Sequence, residues 1–512
     1  MSAPDPGAGA GPSEDRPDAD ARIRGVGAYV PTARLPASEV ADATGRFRAR
    51  GVDAVAVPAP DEDALTMGVA AAERALAAAG VETGALSGLA FATTTPPLAE
   101  EDLTPRLGAA LGVPADATTR YAGRSTRAAT RALRGARDAG AFPALVVAAD
   151  APRGEPNAPE GHAAGAGAAA VVLTDDRGAG AALVGDAEAA AEYPGTRYRR
   201  PGRETVEGLG VTTYDRAAFV RPVAVAADLL AADADAPDPT TADALAVTAP
   251  DGDLPARAAG GIGLDPDAVS TPVRTLGDAG AAAPLLGLAA ALHAGATRTL
   301  LVGWGSGAGA DALVVEGLAP VEGGGDLGGD DADAAVGDGA DGGGEVGYAE
   351  AMRLRGLTTS DDPPAGGGAA VSVPTWRRST PARYRLEAGR CPDCGALAFP
   401  PEGACPDCHA LVEFESVALP GTGTVETVTG VSPGGAPPEF VRQAERGGDY
   451  PVAVVRFERD GGAASLPMQV CEADPDEVAA GDAVRAAFRR VYEREGVVRY
   501  GRKARPIGDG SR

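Results

Sequence analysis

Four cysteines carry the most specific chemistry in this chain: Cys391-Pro-Asp-Cys394, a ten-residue spacer, then Cys405-Pro-Asp-Cys408. Each Cys-x-x-Cys knuckle offers two thiolates to one side of a tetrahedral ion, and zinc is the ion that four soft sulfur ligands favour. Turns of this kind aim backbone N–H groups at the sulfurs. Pro392 and Pro406 stiffen them, and Gly395 relieves the tight exit of the first. A site closed by four protein ligands leaves no position for water, so this zinc is expected to hold structure rather than perform chemistry. His409 directly follows Cys408, where its geometry competes poorly with sulfur, and reads as a bystander. The fifth cysteine, Cys471, stands alone.

The elements that must position these residues belong to a long, acidic chain. Its 512 residues allow two to four domains with ample core. The formal net charge is −26, and Lys503 is the only lysine. Such excess acid keeps a protein hydrated and is a lever of halophilic proteins; it also disfavours nucleic acid as a partner. Cysteines grouped for metal rather than disulfides fit a reducing cytoplasm. No apolar run approaches the roughly 20 residues that span a bilayer. Residues 1–21, rich in Pro, Gly and Asp, read as a disordered tail and not as a signal peptide.

Residues 23–30 read as a strand ended by Pro31. Asp61-Glu-Asp63 introduces a helix to Ala79, with Leu65, Val69, Ala72 and Leu76 as its apolar stripe and Gly80 as its stop. Strands follow at 88–95, 144–150 and 168–173. Between the first two lies a helix that Ser125 or Thr126 can cap and Gly140 ends. The order then repeats, with strands at 244–250, 299–303 and 312–316 and a Leu/Ala-rich helix at 285–294. Leu245 against Ala90 and Leu300 against Leu145 give the same offset of about 155 residues, which reads as a duplicated α/β unit with a site at the seam of its halves. The Gly/Asp-rich loop at 320–347 has nothing apolar to offset its ordering entropy.

The expected domains are therefore a tail (1–21), a duplicated layered α/β domain (22–357), a linker (358–371), a zinc ribbon (372–412) and a small β-barrel with a basic C-terminal segment (413–512). Alternating strands at 421–429, 450–457 and 483–488 make an OB-type barrel the expectation for the last.

Residues 383–507 resemble the acyl-CoA-associated zinc-ribbon/OB-fold family. The resemblance rests on Arg383-Tyr-Arg385, Phe399-Pro-Pro401, Gly421-Thr-Gly-Thr424, Asp474-Pro-Asp-Glu477, Phe488-Arg-Arg490 and Tyr500-Gly-Arg-Lys-Ala-Arg-Pro506. It implies a partner of the thiolase superfamily. Residues 22–357 resemble archaeal-type 3-hydroxy-3-methylglutaryl-CoA synthase, a thiolase-fold enzyme of two duplicated halves. Here the carriers are Gly25-Val-Gly-Ala-Tyr-Val-Pro31, Pro60-Asp-Glu-Asp63, Ala164-Gly-Ala-Gly167, Leu285-Leu-Gly-Leu-Ala-Ala290 and Gly305-Ser-Gly-Ala-Gly-Ala-Asp311. It implies a coenzyme A thioester as ligand and at least a homodimer.

The chain departs from that second family where its chemistry resides. The family carries its acetyl group on a cysteine; Gly123 occupies that position, and no cysteine precedes Cys391. Its glutamate acid/base aligns with Thr94 and its histidine with Thr248. Asp278 stands where an asparagine helps hold the thioester oxygen, and Asp253 replaces a lysine. An ionised carboxylate cannot donate to a developing oxyanion. Ser125 is the nearest substitute nucleophile, but an alcohol needs an adjacent base, and neither His162 nor His293 is placed to be one. Gly305, Ser306, Gly307 and Gly309 are the candidate acyl-CoA contacts, although close packing at the seam would need such glycines equally. The basic run of Arg489, Arg490, Arg494, Arg499, Arg502, Lys503 and Arg505 could attract coenzyme A phosphates, dock an acidic partner, or balance the acidic first domain.

These readings converge on a catalytically degenerate thiolase-superfamily protein. It is expected to bind acyl-CoA, to scaffold an active thiolase through its ribbon and barrel, or both, in acetoacetyl-CoA/HMG-CoA (isoprenoid) metabolism in the cytoplasm. The rival is a condensing acyltransferase with a rearranged site. A third reading is a nucleic-acid-binding OB protein, with Phe488, Tyr492 and Tyr500 as stacking platforms.

Overall fold

The computed structural model describes residues 21–327, 344–358, 373–436, 440–494 and 497–507. Residues 1–20 of the expected tail, 328–343 of the acidic loop and most of the 358–371 linker lie outside the described residues.

The first half places β1 (Arg22–Tyr29), α1 (Ala64–Ala79), β2 (Gly88–Thr93), α2 (Thr104–Leu111), β3 (Thr118–Gly123), α3 (Ala128–Ala139), β4 (Ala144–Asp150) and β5 (Gly167–Thr174). The second half contains β6 (Ala181–Ala189), α4 (Thr212–Ala231), β7 (Ala244–Val247), α5 (Leu254–Ile262), α6 (Ala283–His293), β8 (Arg298–Gly305) and β9 (Gly309–Glu316). The strands form one sheet path in the order β7-β8-β9-β6-β1-β5-β4-β2-β3. Along this path the two wings meet where Arg22 and Ile23 of β1 pair with Ala182 and Ala181 of β6.

The duplication is visible in the pairing. In one wing β2 runs parallel to β4, which pairs antiparallel with β5. In the other β7 runs parallel to β8, which pairs antiparallel with β9. Helices α3 and α6 fill the space between the wings; α6 is apolar all round because it is covered all round. Helix α1 covers the outer face of the first wing, and α4 with α5 covers that of the second. The result is a layered thiolase-like α/β fold with its largest core in the middle.

Local chemistry explains α1. Asp63 Oδ1 accepts the Thr66 N–H at 3.0 Å while Thr66 Oγ1 accepts the Asp63 N–H at 2.9 Å, a reciprocal cap that stops the helix fraying backwards. Gly80, at φ 63°, ends it in the left-handed conformation. Gly25 and Gly27 let β1 lie against this helix, because a Cβ on either would fall 2.4 Å from Ala79 N or 2.2 Å from Ala71 O.

After α7 (Tyr348–Leu354), helix α8 (Val373–Arg385) leads into the ribbon, whose sheet is β10 (Glu387–Arg390), β11 (Leu397–Ala398) and β12 (Glu415–Ala418). Residues 415–418, which the expected boundary between ribbon (372–412) and barrel (413–512) puts in the barrel, pair with the ribbon strand β10. The barrel comprises β13 (Thr422–Val431), α9 (Val441–Gly447), β14 (Tyr450–Arg459), β15 (Gly462–Gln469), β16 (Ala483–Arg494) and β17 (Val497–Pro506), ordered β15-β14-β13-β16-β17. A bridge from Val470 to Ala504 draws its edges together into a nearly closed OB-type barrel. Among the described residues, no helix is long and apolar enough to cross a membrane.

The barrel is docked on the first domain. Tyr384, Phe488, Val498 and Tyr500 join the same apolar cluster as α1 and α2. Arg502 pairs with Glu73 at 2.8 Å, and Arg385 donates to the Ala109 carbonyl at 2.9 Å. The basic C-terminal run is therefore two paired strands, and Arg489 and Lys503 on them are buried against the acidic segment at 61–63. Of the three roles open to that run, internal charge balance is the one these residues fulfil. Phe488 and Tyr500 are only 2% and 0% exposed, so two of the three rings that a nucleic-acid surface would use are covered by the chain itself, while Tyr492 is half-buried.

Candidate active site and metal centre

The four positions aligned with the condensing machinery all lie at strand ends or seam turns of the layered domain. Thr94 follows β2, Gly123 ends β3 and is the neighbour of the β2 terminus in register (Thr93 opposite Gly123), and Thr248 follows β7. Asp278 lies in the turn before α6 and bridges to Ala164.

The group at the centre of this region is one the sequence did not single out. Asp150, the fully buried last residue of β4, accepts from Thr93 Oγ1 (2.8 Å), Thr94 N (2.6 Å), Thr94 Oγ1 (2.7 Å) and Ala281 N (2.7 Å). Thr95 adds its N–H and its hydroxyl, each at 3.0 Å. Six donors replace the water this carboxyl group loses on burial, so its oxygens are satisfied. Its carboxylate also occupies the space a side chain at Gly280 would need, at a φ of 55° that glycine takes without strain. Three consecutive threonines before Pro96, with an aspartate ending a buried strand, were the available signal.

Thr94 thus spends its hydroxyl on Asp150. The Thr248 hydroxyl accepts the Trp304 N–H at 3.1 Å. Asp278 is held by Arg197, with Nη2 at 2.7 Å and Nε at 3.0 Å, and accepts the Gly280 N–H at 2.8 Å. Burial pushes the Asp278 carboxyl up against the opposing pull of Arg197. Asp278 is therefore an acceptor already paired to a cation.

Ser125 and Thr126 do not cap α3, which starts at Ala128 with no side-chain cap. The turn is set instead by Arg127, fully buried and bidentate to Asp311 (Nη2–Oδ1 2.6 Å, Nε–Oδ2 3.0 Å) with Glu188 at 2.7 Å. Thr126 Oγ1 donates to the Trp304 carbonyl, and Ser125 Oγ accepts from Arg127 N at 3.3 Å. No histidine approaches Ser125. His162 is held between the Arg48 N–H (2.9 Å, at Nδ1) and the Pro156 carbonyl (3.1 Å, at Nε2), and His293 is exposed at the end of α6.

Of the glycine-run residues, Gly305 and Gly309 are buried in the β8–β9 hairpin. A Cβ at Gly305 would meet Ser125 Oγ at 2.3 Å, and one at Gly309 the Ala189 carbonyl at 1.9 Å. Ser306 Oγ accepts the Arg197 N–H at 3.1 Å and hydrogen-bonds the Thr196 hydroxyl at 2.7 Å; Gly307 is exposed. Beside them opens a cavity of about 200 Å³, lined in part by Arg48, Arg216, Asp253, Arg257, Asp278 and Trp304.

The four ribbon cysteines converge. Their Sγ atoms all lie within 4.8 Å of one another, with Cys391–Cys408 at 3.8 Å and Cys394–Cys405 at 3.5 Å. A tetrahedron of thiolates about 2.3 Å from an ion has edges of about 3.8 Å, so the set fits a metal site. Backbone N–H groups of Ala396 and Ala410 face the sulfurs of Cys394 and Cys408. His409 is exposed and takes φ 58° where the first knuckle has Gly395 at φ 79°; it supplies a turn, not a ligand.

Comparison with known proteins agrees with this architecture. Residues 378–415 match the family described as ChsH2, rubredoxin-like zinc ribbon domain, and residues 416–489 match ChsH2, C-terminal OB-fold domain. A DUF35 domain-containing scaffold protein of Methanocaldococcus jannaschii is 36% identical over 137 residues, 26% of this chain and 90% of the relative. A hydroxymethylglutaryl-CoA synthase of Methanopyrus kandleri is 29% identical over 307 residues, 57% of this chain and 86% of the relative. Among solved structures, HMG-CoA synthase complexed with CoA superposes with a TM-score of 0.56 at 16% identity, covering 69% of this chain and 94% of that one. A 3-oxoacyl-(acyl carrier protein) synthase III from Pseudomonas aeruginosa PAO1 superposes with a TM-score of 0.52 at 22% identity, covering 59% and 99%. Both show the thiolase-like fold. Through its ribbon and barrel the chain belongs to the family of DUF35 domain-containing scaffold proteins, here fused to a thiolase-fold region like that of hydroxymethylglutaryl-CoA synthase.

Proposed function

We propose that this chain is a catalytically silent thiolase-superfamily protein that binds acyl-CoA and scaffolds an active thiolase-family partner through its ribbon and barrel. The observation that carries the reading is the joint state of four positions. Gly123 brings no nucleophile, Thr94 and Thr248 have their hydroxyls engaged in internal hydrogen bonds, and Asp278 offers a carboxylate paired to Arg197. Groups that act as a unit in catalysis fail as a unit.

The ligand end of the reading is supported by the 200 Å³ cavity, whose floor includes Asp278 and Trp304 while exposed Arg257 stands at its rim. Acyl-CoA enters there with its phosphates toward the arginines. Zinc fills the four-cysteine site and holds the ribbon in shape. The scaffold role extends what the DUF35 relatives are named for, and the pathway, acetoacetyl-CoA/HMG-CoA metabolism, extends what the synthase relatives are named for. The cell is one with a salt-rich, reducing cytoplasm, and the protein is at least a homodimer.

Calorimetric titration with acetyl-CoA tests the binding half of the reading. One site per chain is expected, weakened at least tenfold by Arg257→Met. Failure of acetyl-CoA and acetoacetyl-CoA to bind would contradict it.

A further inference from the structure

A second cavity, of about 410 Å³, lies where the barrel meets the thiolase-fold domain. That is within the range of small-molecule sites, about 300–1,000 Å³. Six arginines line it, three from each side of the seam: Arg153, Arg199 and Arg355 from the first domain, and Arg442, Arg446 and Arg490 from the barrel. In a chain of net charge −26 this is a concentration of the scarcer sign.

The carboxylates of the lining are already engaged. Glu204 pairs with Arg153 at 2.7 Å, and Glu493 with Arg490 at 3.0 Å and Arg442 at 3.6 Å. Glu62 bonds the Tyr29 hydroxyl and faces Arg489, and Asp63 accepts from Thr66 and from Tyr500 at 2.7 Å. Three guanidiniums make no contact ion pair among the described residues: Arg199 feels Asp150 and Glu204, and Arg446 feels Asp61, only through space, and their N–H groups meet main-chain carbonyls. Arg355 donates to Ala164 O at 2.7 Å, Arg446 to Leu354 O at 3.0 Å and Pro60 O at 3.3 Å, and Arg199 to Thr94 O. A carbonyl satisfies a donor but does not neutralise a charge, and Arg355 is only 6% exposed.

We propose that this seam cavity is a binding site for a phosphorylated small molecule, its phosphate oxygens held by Arg199, Arg355 and Arg446 from both domains. Guanidinium forks match phosphate oxygens two at a time, and a dianion meets three cations better than a single carboxylate would. The rest of the wall suits an organic body: Pro58, Pro60, Pro96 and Pro97 are rigid and apolar, and Tyr492 offers a ring. Burial, reinforced by the neighbouring Arg153, lowers Arg355 to about 10 and Arg446 to about 9, as expected of cations that lack a contacting counter-ion. The site is separate from the proposed acyl-CoA cavity. Along the extended segment between the two, Arg197 lines one and Arg199 the other.

The test is calorimetric titration of the full, metal-loaded chain at constant ionic strength with two probes, inorganic pyrophosphate and coenzyme A. The variants are Arg446→Met, exposed Arg199→Met, and Arg257→Met in the other cavity. Saturable binding of pyrophosphate, weakened at least tenfold by R446M and by R199M but not by R257M, supports a phosphate site open to free phosphates. Coenzyme A occupying a second site besides the Arg257-dependent one, with that second site weakened by R446M and by R199M and kept in R257M, supports it with a nucleotide as the source. Because Arg446 also bridges the two domains, R199M, which joins none of the barrel, keeps the test independent of folding. Binding of neither probe, or binding that only R257M weakens, overturns the proposal.

Discussion

Lys503, the only lysine of the chain, places its Nζ 2.9 Å from Oδ2 of Asp61, 442 positions away in sequence, with both side chains buried between the barrel and the thiolase-fold domain. Around the pair, Arg490 N donates to the Asp61 carbonyl at 3.0 Å, Tyr500 reaches Asp63, and Arg489 lies 3.3 Å from Glu62. Burial works to raise the Asp61 carboxyl, but Lys503 and Arg489 outweigh it and hold the group below its ordinary value. The acidic turn before α1 is thus both a helix cap and the socket for the barrel.

Removing one partner strands the other charge in a dry interface, which costs about 3–5 kcal/mol. Lys503→Met is therefore expected to lower the unfolding midpoint in denaturant clearly, while the double variant Lys503→Met with Asp61→Leu recovers much of the loss. A double-mutant cycle that shows additive effects would mean that the two side chains do not interact.

Cys394→Ser takes one ligand from a closed four-thiolate site. Metal content is expected to fall, and the ribbon and the barrel it supports to become protease-sensitive, while the thiolase-fold domain keeps its helical signal. Chelation of the wild type should do the same. Full metal loss with no change in protease sensitivity would show that the site does not hold the ribbon.

His162 ties Arg48 to Pro156 in its neutral form and stacks on Phe47 at a centroid distance of 5.4 Å. Burial, aided by Arg48 and Arg355, lowers its pKa from 6.5. A histidine depressed by folding contributes stability that is complete above its unfolded pKa and is lost as pH falls through the folded one. Stability is expected to decline on acidification below about 6.5, with a shallower decline in His162→Gln. The comparison to make is the slope of unfolding midpoint against pH in the two proteins.

Gly25→Ala is expected to destabilise the first domain by at least the 1–3 kcal/mol or so of an overpacked core, since the obstacle is helix backbone that cannot rotate away. A midpoint unchanged by this substitution would mean that β1 and α1 are further apart than described.

What could be read from the chain alone was what lies close together along it. The acidic helix start at 61–63, the Gly80 stop and both metal knuckles each occupy a few consecutive residues, and the repeat spacing that revealed the duplicated unit needs only two apolar runs per half. The misreadings share the opposite property. Arg489 and Arg490 look like a basic tail until the barrel closes and sets them beside 61–63. Ser125 looks like a cap until Arg127 finds Asp311, 184 residues away. Asp150 has only a weak signature of its own, because its donors come from the end of β2 and the threonines after it and from the turn before α6. Glu415–Ala418 pairs with Glu387–Arg390 across the whole metal site, so its membership in the ribbon follows from the metal site's fold.

The central claim is that the thiolase-fold domain performs no condensation, and it is tested most directly by measuring coenzyme A release from acetyl-CoA plus acetoacetyl-CoA in high salt. The protein used must be shown to be folded and zinc-loaded. The expected result is release at the uncatalysed rate, from a chain that nonetheless binds acetyl-CoA. Turnover above that rate, lost in Ser125→Ala, would contradict the account and identify a condensing enzyme with a serine nucleophile.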